Sequence, residues 1–250
     1  MYHSAVRTFP SPPRAGQPAV IRVTVRDARD RAVLDLEPSH ERLMHVAIVS
    51  RDLRHFAHVH PEPDGTSFRV EHTFAEGGEH LLFADYQQPG RGQVVDRHPI
   101  RVEGSVRPAA EPLGVSPPSV RTGGVELKLQ VDGELFARQS ALLRFDVADA
   151  QTGQAVADLE PYLGAKAHFL VLSADGEDFV HAHAIEDADP ARLTAHAVFP
   201  RPGLYKLWAQ LQRRGTVVTV PFVLHIAGER SETSASPDRT PSEEHAHHRH

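Results

Sequence analysis

The sequence predicts an all-β protein built of two tandem antiparallel β-sandwiches. Three observations predict it: short β-branched runs separated by turn residues, a repeat that returns whole phrases in the second half, and 20 Pro and 17 Gly beside only 6% aromatic residues. Such a composition belongs to a chain with many turns rather than to a helical bundle. Intervals between the runs, such as Val20-Ile21-Arg22-Val23-Thr24-Val25 and Val217-Val218-Thr219-Val220, are too short for crossover helices. About seven antiparallel strands per copy follow.

The 250 residues leave room for two ordinary domains, each able to bury its own core. Aligning the halves pairs Ala15–Val23 with Ala137–Phe145 and Asp35-Leu36-Glu37-Pro38 with Asp158-Leu159-Glu160-Pro161. It pairs His45 with His168, Ser50 with Ser173, and Phe56-Ala57-His58-Val59-His60 with Phe179-Val180-His181-Ala182-His183. Phe74 and Gly78 then meet Phe199 and Gly203, with insertions falling in turns. The expected organisation is a first sandwich over 1–105, a Pro- and Gly-rich linker over 106–124, and a second sandwich over 125–227. A disordered tail over 228–250 ends on His245-Ala246-His247-His248-Arg249-His250.

Charge and cysteine count exclude several classes of function. A net charge of −6 offers no basic footprint for nucleic acid or an anionic membrane. No apolar run is long enough to span a bilayer, and Met1–Gly16 lacks the apolar stretch of a signal peptide. Without cysteine there is no disulfide framework, thiolate metal site or thiol nucleophile. The 18 histidines exceed what core packing needs, so their placement carries the functional reading.

In the second copy, two short runs flank Asp175-Gly176, a dipeptide favoured in two-residue hairpin turns. Centring the hairpin there sets Leu172 opposite Phe179, Leu170 opposite His181 and His168 opposite His183, so three imidazoles share one face. The first copy keeps the spacing as His45, His58 and His60, although Asp52-Leu53 replaces Asp-Gly. Three converging imidazoles suit Zn(II) or Cu(II), and the two triads are the candidate metal ligands. The structural alternative is that they are hydrogen-bonded core groups, since both faces of the hairpin carry apolar residues. His72, His80 and Asp85 become Ala197, Tyr205 and Gln210 in the second copy and read as exposed strand positions. The repeated Asp-Leu-Glu-Pro carboxylates read as turn chemistry, and the terminal histidines as a flexible, unspecific metal tract.

The segments Met44-His45-Val46, Phe56-Ala57-His58-Val59-His60-Pro61 and Pro202–Gln210 resemble duplicated bacterial Ig-like proteins related to YtkA-like domains, over most of residues 5–226. That resemblance implies exported, periplasmic or surface Ig-like sandwiches linked to copper or other heavy-metal handling. The leading reading is a non-catalytic module that buffers or transfers copper or zinc. Its partners would be the metal ion and an envelope metal-handling protein, with no nucleic acid and no membrane span. Two alternatives stand beside it. One is a bicupin-like metal enzyme, suggested by HxH and Gly77-Gly78-Glu79-His80, although the second copy keeps neither a matching glutamate nor the later histidine. The other is an Ig-like envelope interaction protein whose histidines are incidental. Imidazoles with an ordinary pKa would lose metal as pH falls through roughly 6.

Overall fold

The computed structural model describes residues 1–108 and 112–228, all of it strand, turn and loop. The first repeat contributes β1 (His3–Phe9), β2 (Pro18–Arg26), β3 (Met44–Ser50), β4 (Phe56–Val59), β5 (Glu62–Asp64), β6 (Ser67–Thr73), β7 (Gly78–Gln88) and β8 (Gly92–Val102). They form two antiparallel sheets, ordered β1-β2-β6-β5 and β4-β3-β7-β8. With strands lettered A, B, C, C′, D, E, F and G in chain order, this is ABED against C′CFG, the Ig division of strands. It is not the eight-stranded jelly roll of a cupin.

The second repeat contributes β9 (Ser119–Thr122), β10 (Val125–Val131), β11 (Ser140–Asp149), β12 (Ala167–Ser173), β13 (Phe179–His183), β14 (Arg192–Val198), β15 (Gly203–Arg213) and β16 (Thr216–Ile226). Its sheets run β14-β11-β10-β9 and β13-β12-β15-β16. Each repeat thus has eight strands where about seven were expected, and the second gains β9 in place of a D strand. Part of the segment expected as linker is therefore sheet, because Ser119–Thr122 pairs with β10. Its preceding turn is also anchored, Ser116 N–H donating to Val223 O at 3.0 Å. The tail expected to be disordered, with its terminal histidines, lies beyond Gly228 and outside the described residues.

Alternation builds each core. Along β2, Ala19, Ile21, Val23 and Val25 point inward while Arg22, Thr24 and Arg26 are partly exposed. Two inner faces close over Phe68, Phe74 and Tyr86 in one repeat, and over Phe145, Phe169, Phe199 and Phe222 in the other. β3 and β12 break the alternation, since every residue of both is buried. One face of each belongs to its own sandwich core. The second face is covered by the other repeat.

That contact packs the C′CFG sheets face to face through Ala47, Val49, Leu53, Leu81 and Phe83 against Leu170, Leu172 and Trp208. Its symmetry is pseudo-twofold. Phe56 stacks on Trp208 at 4.6 Å, and the repeat-equivalent Phe179 stacks on Phe83 at 4.8 Å, both with rings 10° from parallel. Such pairs add about 0.5–1.5 kcal/mol beyond the area they bury. Arg51 Nη1 donates to Asp175 O and Lys206 Nζ to Leu53 O, each at 2.6 Å, sealing the hairpin tips of both repeats.

Candidate metal centre

The hairpin register matches expectation: His168 pairs with His183, Leu170 with His181 and Leu172 with Phe179. The turn itself is different. Gly176 N–H donates to Ser173 O and Ser173 N–H to Asp178 O, and only Gly176 takes a positive φ, +74°. A type I′ turn would need positive φ at two central residues, so the loop is wider than the expected two-residue turn. The first repeat builds the same loop: Leu53 N–H donates to Ser50 O, and Leu53 stands in the glycine's place at φ +59°. Burial of Leu53 between the repeats offsets the cost of about 1–2 kcal/mol for a left-handed L-residue.

Both predicted triads are assembled. One ring nitrogen from each of His45, His58 and His60 lies within 4.8 Å of the others, and the same holds for His168, His181 and His183. The triads face each other across the repeat interface, with the His45 ring 5.1 Å from that of His181 and 6.2 Å from that of His168. His58 lies 5.4 Å from His181 between ring centres. His45 and His168 are fully buried, at 3% and 0% exposure.

In four of the six rings the hydrogen bonds assign which nitrogen faces inward. His45 Nε2–H donates to Ser39 O at 2.9 Å and His168 Nε2–H to Tyr162 O at 2.8 Å, leaving a lone pair on each Nδ1. His58 Nδ1–H donates to Gln210 Oε1 at 2.8 Å, the amide being oriented by Gln210 Nε2–H on Thr219 Oγ1. His181 Nδ1–H donates to Asp85 Oδ2 at 2.7 Å. Both of these rings therefore present a bare Nε2. These outer bonds to carbonyl, amide and carboxylate oxygens are the kind that orient metal-bound imidazoles.

The inward nitrogens have little else to bond. His60 Nε2, His168 Nδ1, His181 Nε2 and His183 Nε2 are buried without a hydrogen-bond partner. His45 Nδ1 and His58 Nε2, both without hydrogen, face each other at 3.1 Å. Two lone pairs at that distance repel. The spacing is close to the roughly 3.3 Å between two nitrogens on a tetrahedral ion with bonds of 2.0–2.1 Å.

Electrostatics keep the rings ready to donate. Burial, reinforced by repulsion from His45 and His40 and partly offset by the bond to Tyr162 O, holds His168 at about 4. Burial also holds His60 at about 3 and His183 at about 2, and pushes His58 and His181 well below the ordinary range. Burial lowers His45 as well, so all six rings are biased towards the neutral form.

Two groups at the centre were not read as site residues. Asp85, expected to be an exposed strand position, is 5% exposed and holds His181. The signal was its exchange for Gln210, an oxygen acceptor that holds His58 in the same way. His40 stacks on His183 with ring centres 3.4 Å apart, and nothing in its loop sequence marked it. The expectation of exposure also fails for His80, which is 2% exposed, while His72 is half-buried; neither joins the triads. Glu37 and Glu160 accept from the backbone N–H groups of Gly90 and Gly215, the turn role expected of them.

Residues 4–104 and 120–228 match the family described as Domain of unknown function (DUF8832), so the chain belongs to that family and carries its domain twice. No curated protein matches the chain by sequence. Among solved structures it is similar to the Escherichia coli adhesin FdeC, at 16% identity and TM-score 0.31, covering 90% of this chain. It spans 64% of that adhesin chain. It is also similar to a two-domain fibronectin type III segment of chicken tenascin, at 13% identity and TM-score 0.25, covering 89% of this chain and 97% of that one. Trypsin-activated alpha-2-macroglobulin from Escherichia coli matches at 11% identity and TM-score 0.28, covering 86% of this chain and 15% of that one. The Ig-like assignment rests on the strand order, not on these likenesses.

Proposed function

We propose that this DUF8832 protein is a non-catalytic module that holds two divalent ions, copper(II) or zinc, and buffers them or passes them to a partner in the cell envelope. His45, His58 and His60 hold one ion, and His168, His181 and His183 the other. The observation that carries the reading is the set of bare inward nitrogens, above all the 3.1 Å approach of His45 Nδ1 to His58 Nε2. A cation between them turns a repulsion into two bonds. A site of imidazoles without thiolates suits zinc or copper(II) rather than copper(I). The envelope location, and the transfer partner with it, rests on the resemblance to exported Ig-like proteins.

The same Ig architecture serves protein–protein contact in many settings, and the open edge strands β1 and β8 would support an envelope interaction role. The two readings part on stoichiometry. Titration of the chain, with the terminal histidines replaced by serine, should show two ions bound per molecule. Replacing His181 and His183 by alanine should leave one, and replacing all six triad histidines should leave none. Unchanged stoichiometry in the six-residue variant would overturn the metal reading and leave the interaction reading standing.

A further inference from the structure

We infer that the two triads form one asymmetric dinuclear centre, in which Asp85 of the first repeat makes the second-repeat triad the tighter site and the first to fill. This inference rests on the metal-binding reading above and concerns the order and coupling of the sites. Its first ground is proximity. Rings from opposite triads approach to 5.1 Å and 5.4 Å, so two bound cations would lie well within the distance over which buried charges act on each other. Whichever ion enters first opposes the second.

The second ground is the exchange of supports across the pseudo-twofold axis. His58 of the first repeat is held by Gln210 of the second, and His181 of the second by Asp85 of the first. Those supports occupy equivalent positions on β7 and β15. A neutral amide and a carboxylate are not equivalent to a ligand, because the carboxylate raises the basicity of the imidazole it holds and adds a negative charge beside the incoming cation.

The third ground is the state of Asp85 itself. Its side chain is 6% exposed, Gln93 Nε2–H donates to Oδ1 at 2.8 Å, the neutral His181 ring donates to Oδ2 at 2.7 Å, and among the described residues no lysine or arginine pairs with it. A buried carboxylate without a permanent cation is costly, and a dication on His181 supplies the missing charge. Gln210 creates no such demand at the other triad. His40 adds to the asymmetry: it lies against His183 and His168, whereas its repeat equivalent is Leu163. Asp85 is thus a positioning residue, acting on the metal through His181.

The test is a Cu(II) titration of the full chain carrying His245→Ser, His247→Ser, His248→Ser and His250→Ser, against a competing chelator, followed by electron paramagnetic resonance. Two steps are expected, the first at least tenfold tighter. One equivalent should give an isolated Cu(II) spectrum and the second a dipolar-coupled one. Asp85→Asn keeps an oxygen for His181 but removes the charge, and should weaken the first step by about 10–100-fold while changing the spectrum of the first ion. The affinity of the first-repeat triad should stay in place and the metal-free melting temperature should not fall, which a merely structural role for Asp85 would not produce. The tight step should survive His58→Ala/His60→Ala and vanish in His181→Ala/His183→Ala. Two equal, uncoupled steps, or a tight step that survives loss of His181 and His183, would overturn the ordering alone. Copper retained after all six triad histidines are replaced would overturn the metal reading, and the ordering with it.

Discussion

Lowering the pH of the metal-free protein from 7 to 5 should destabilise it through the buried imidazoles, and His168 sets the scale. Its pKa is about 4 in the fold, held down by burial, against about 6.5 in the unfolded chain. The unfolded state therefore takes up the proton first as pH falls, and stability declines between about 6.5 and about 4. The full difference of about 2.5 units corresponds to about 3.4 kcal/mol, of which about 1.8 kcal/mol is lost by pH 5. His60 and His183, at about 3 and about 2, push in the same direction. Depressed carboxylates do not interfere in this window: Asp52 and Asp149, at about 2, lose their contribution only below about pH 4. Urea unfolding in the presence of a chelator at pH 7 and pH 5 measures the loss. His168→Gln, which keeps a donor for Tyr162 O, should reduce the difference by about 1.8 kcal/mol. Equal stability of the wild-type protein at the two pH values would refute the buried, neutral cluster.

The same depressed values shift metal release to lower pH than free imidazole implies: zinc affinity should hold through pH 6 and fall steeply towards about pH 4, as read by competition with a chelator at each pH. Trp208→Ala removes one of the two stacks between the repeats and should cost about 3–5 kcal/mol in thermal or urea unfolding. Gly176→Ala should destabilise by about 1–3 kcal/mol, because φ is +74° and the new Cβ would meet Leu81 Cδ1 at 2.5 Å and Arg51 Nη1 at 2.9 Å. An unchanged melting temperature in that variant would show that the hairpin tip does not pack against the first repeat.

Periodicity and repetition made the sandwiches and both triads legible, because a hairpin register fixes which side chains share a face. Leu170 opposite His181 follows from the position of the turn alone, whatever its type. What the local pattern does not contain is the identity of the surface covering that face. Runs such as Ala167–Ser173, apolar on both sides, say that a second partner exists but not that it is the other copy of the same run. Asp85 was hidden for a related reason. Compared column by column, its exchange for Gln210 looks like the loss of a ligand; compared across the interface, each is the acceptor for the other repeat's histidine. His40 sits in a loop whose left-handed backbone, φ +47° against +50° at Leu163, is shared by both copies while the side chain is not.

Two identical repeats meeting about a true twofold axis would present the same donor, the same acceptor and the same aromatic on each side. Joined in one chain, the copies are free to differ where they touch, and the differences in this interface come in matched pairs. Gly176 leaves room that Leu81 and Arg51 of the first repeat occupy. At the equivalent tip, Leu53 fills the space with its own side chain, and Lys206, the counterpart of Leu81, turns its ammonium onto the Leu53 carbonyl. Phe179 meets Phe83 where Phe56 meets the larger Trp208. Asp85 belongs to this pattern: a carboxylate at both equivalent positions would bury two uncompensated charges in one cluster, and an amide at both would leave the two triads alike. One of each limits the buried charge to a single carboxylate and makes the two triads chemically distinct, a difference available only once the repeats share a chain.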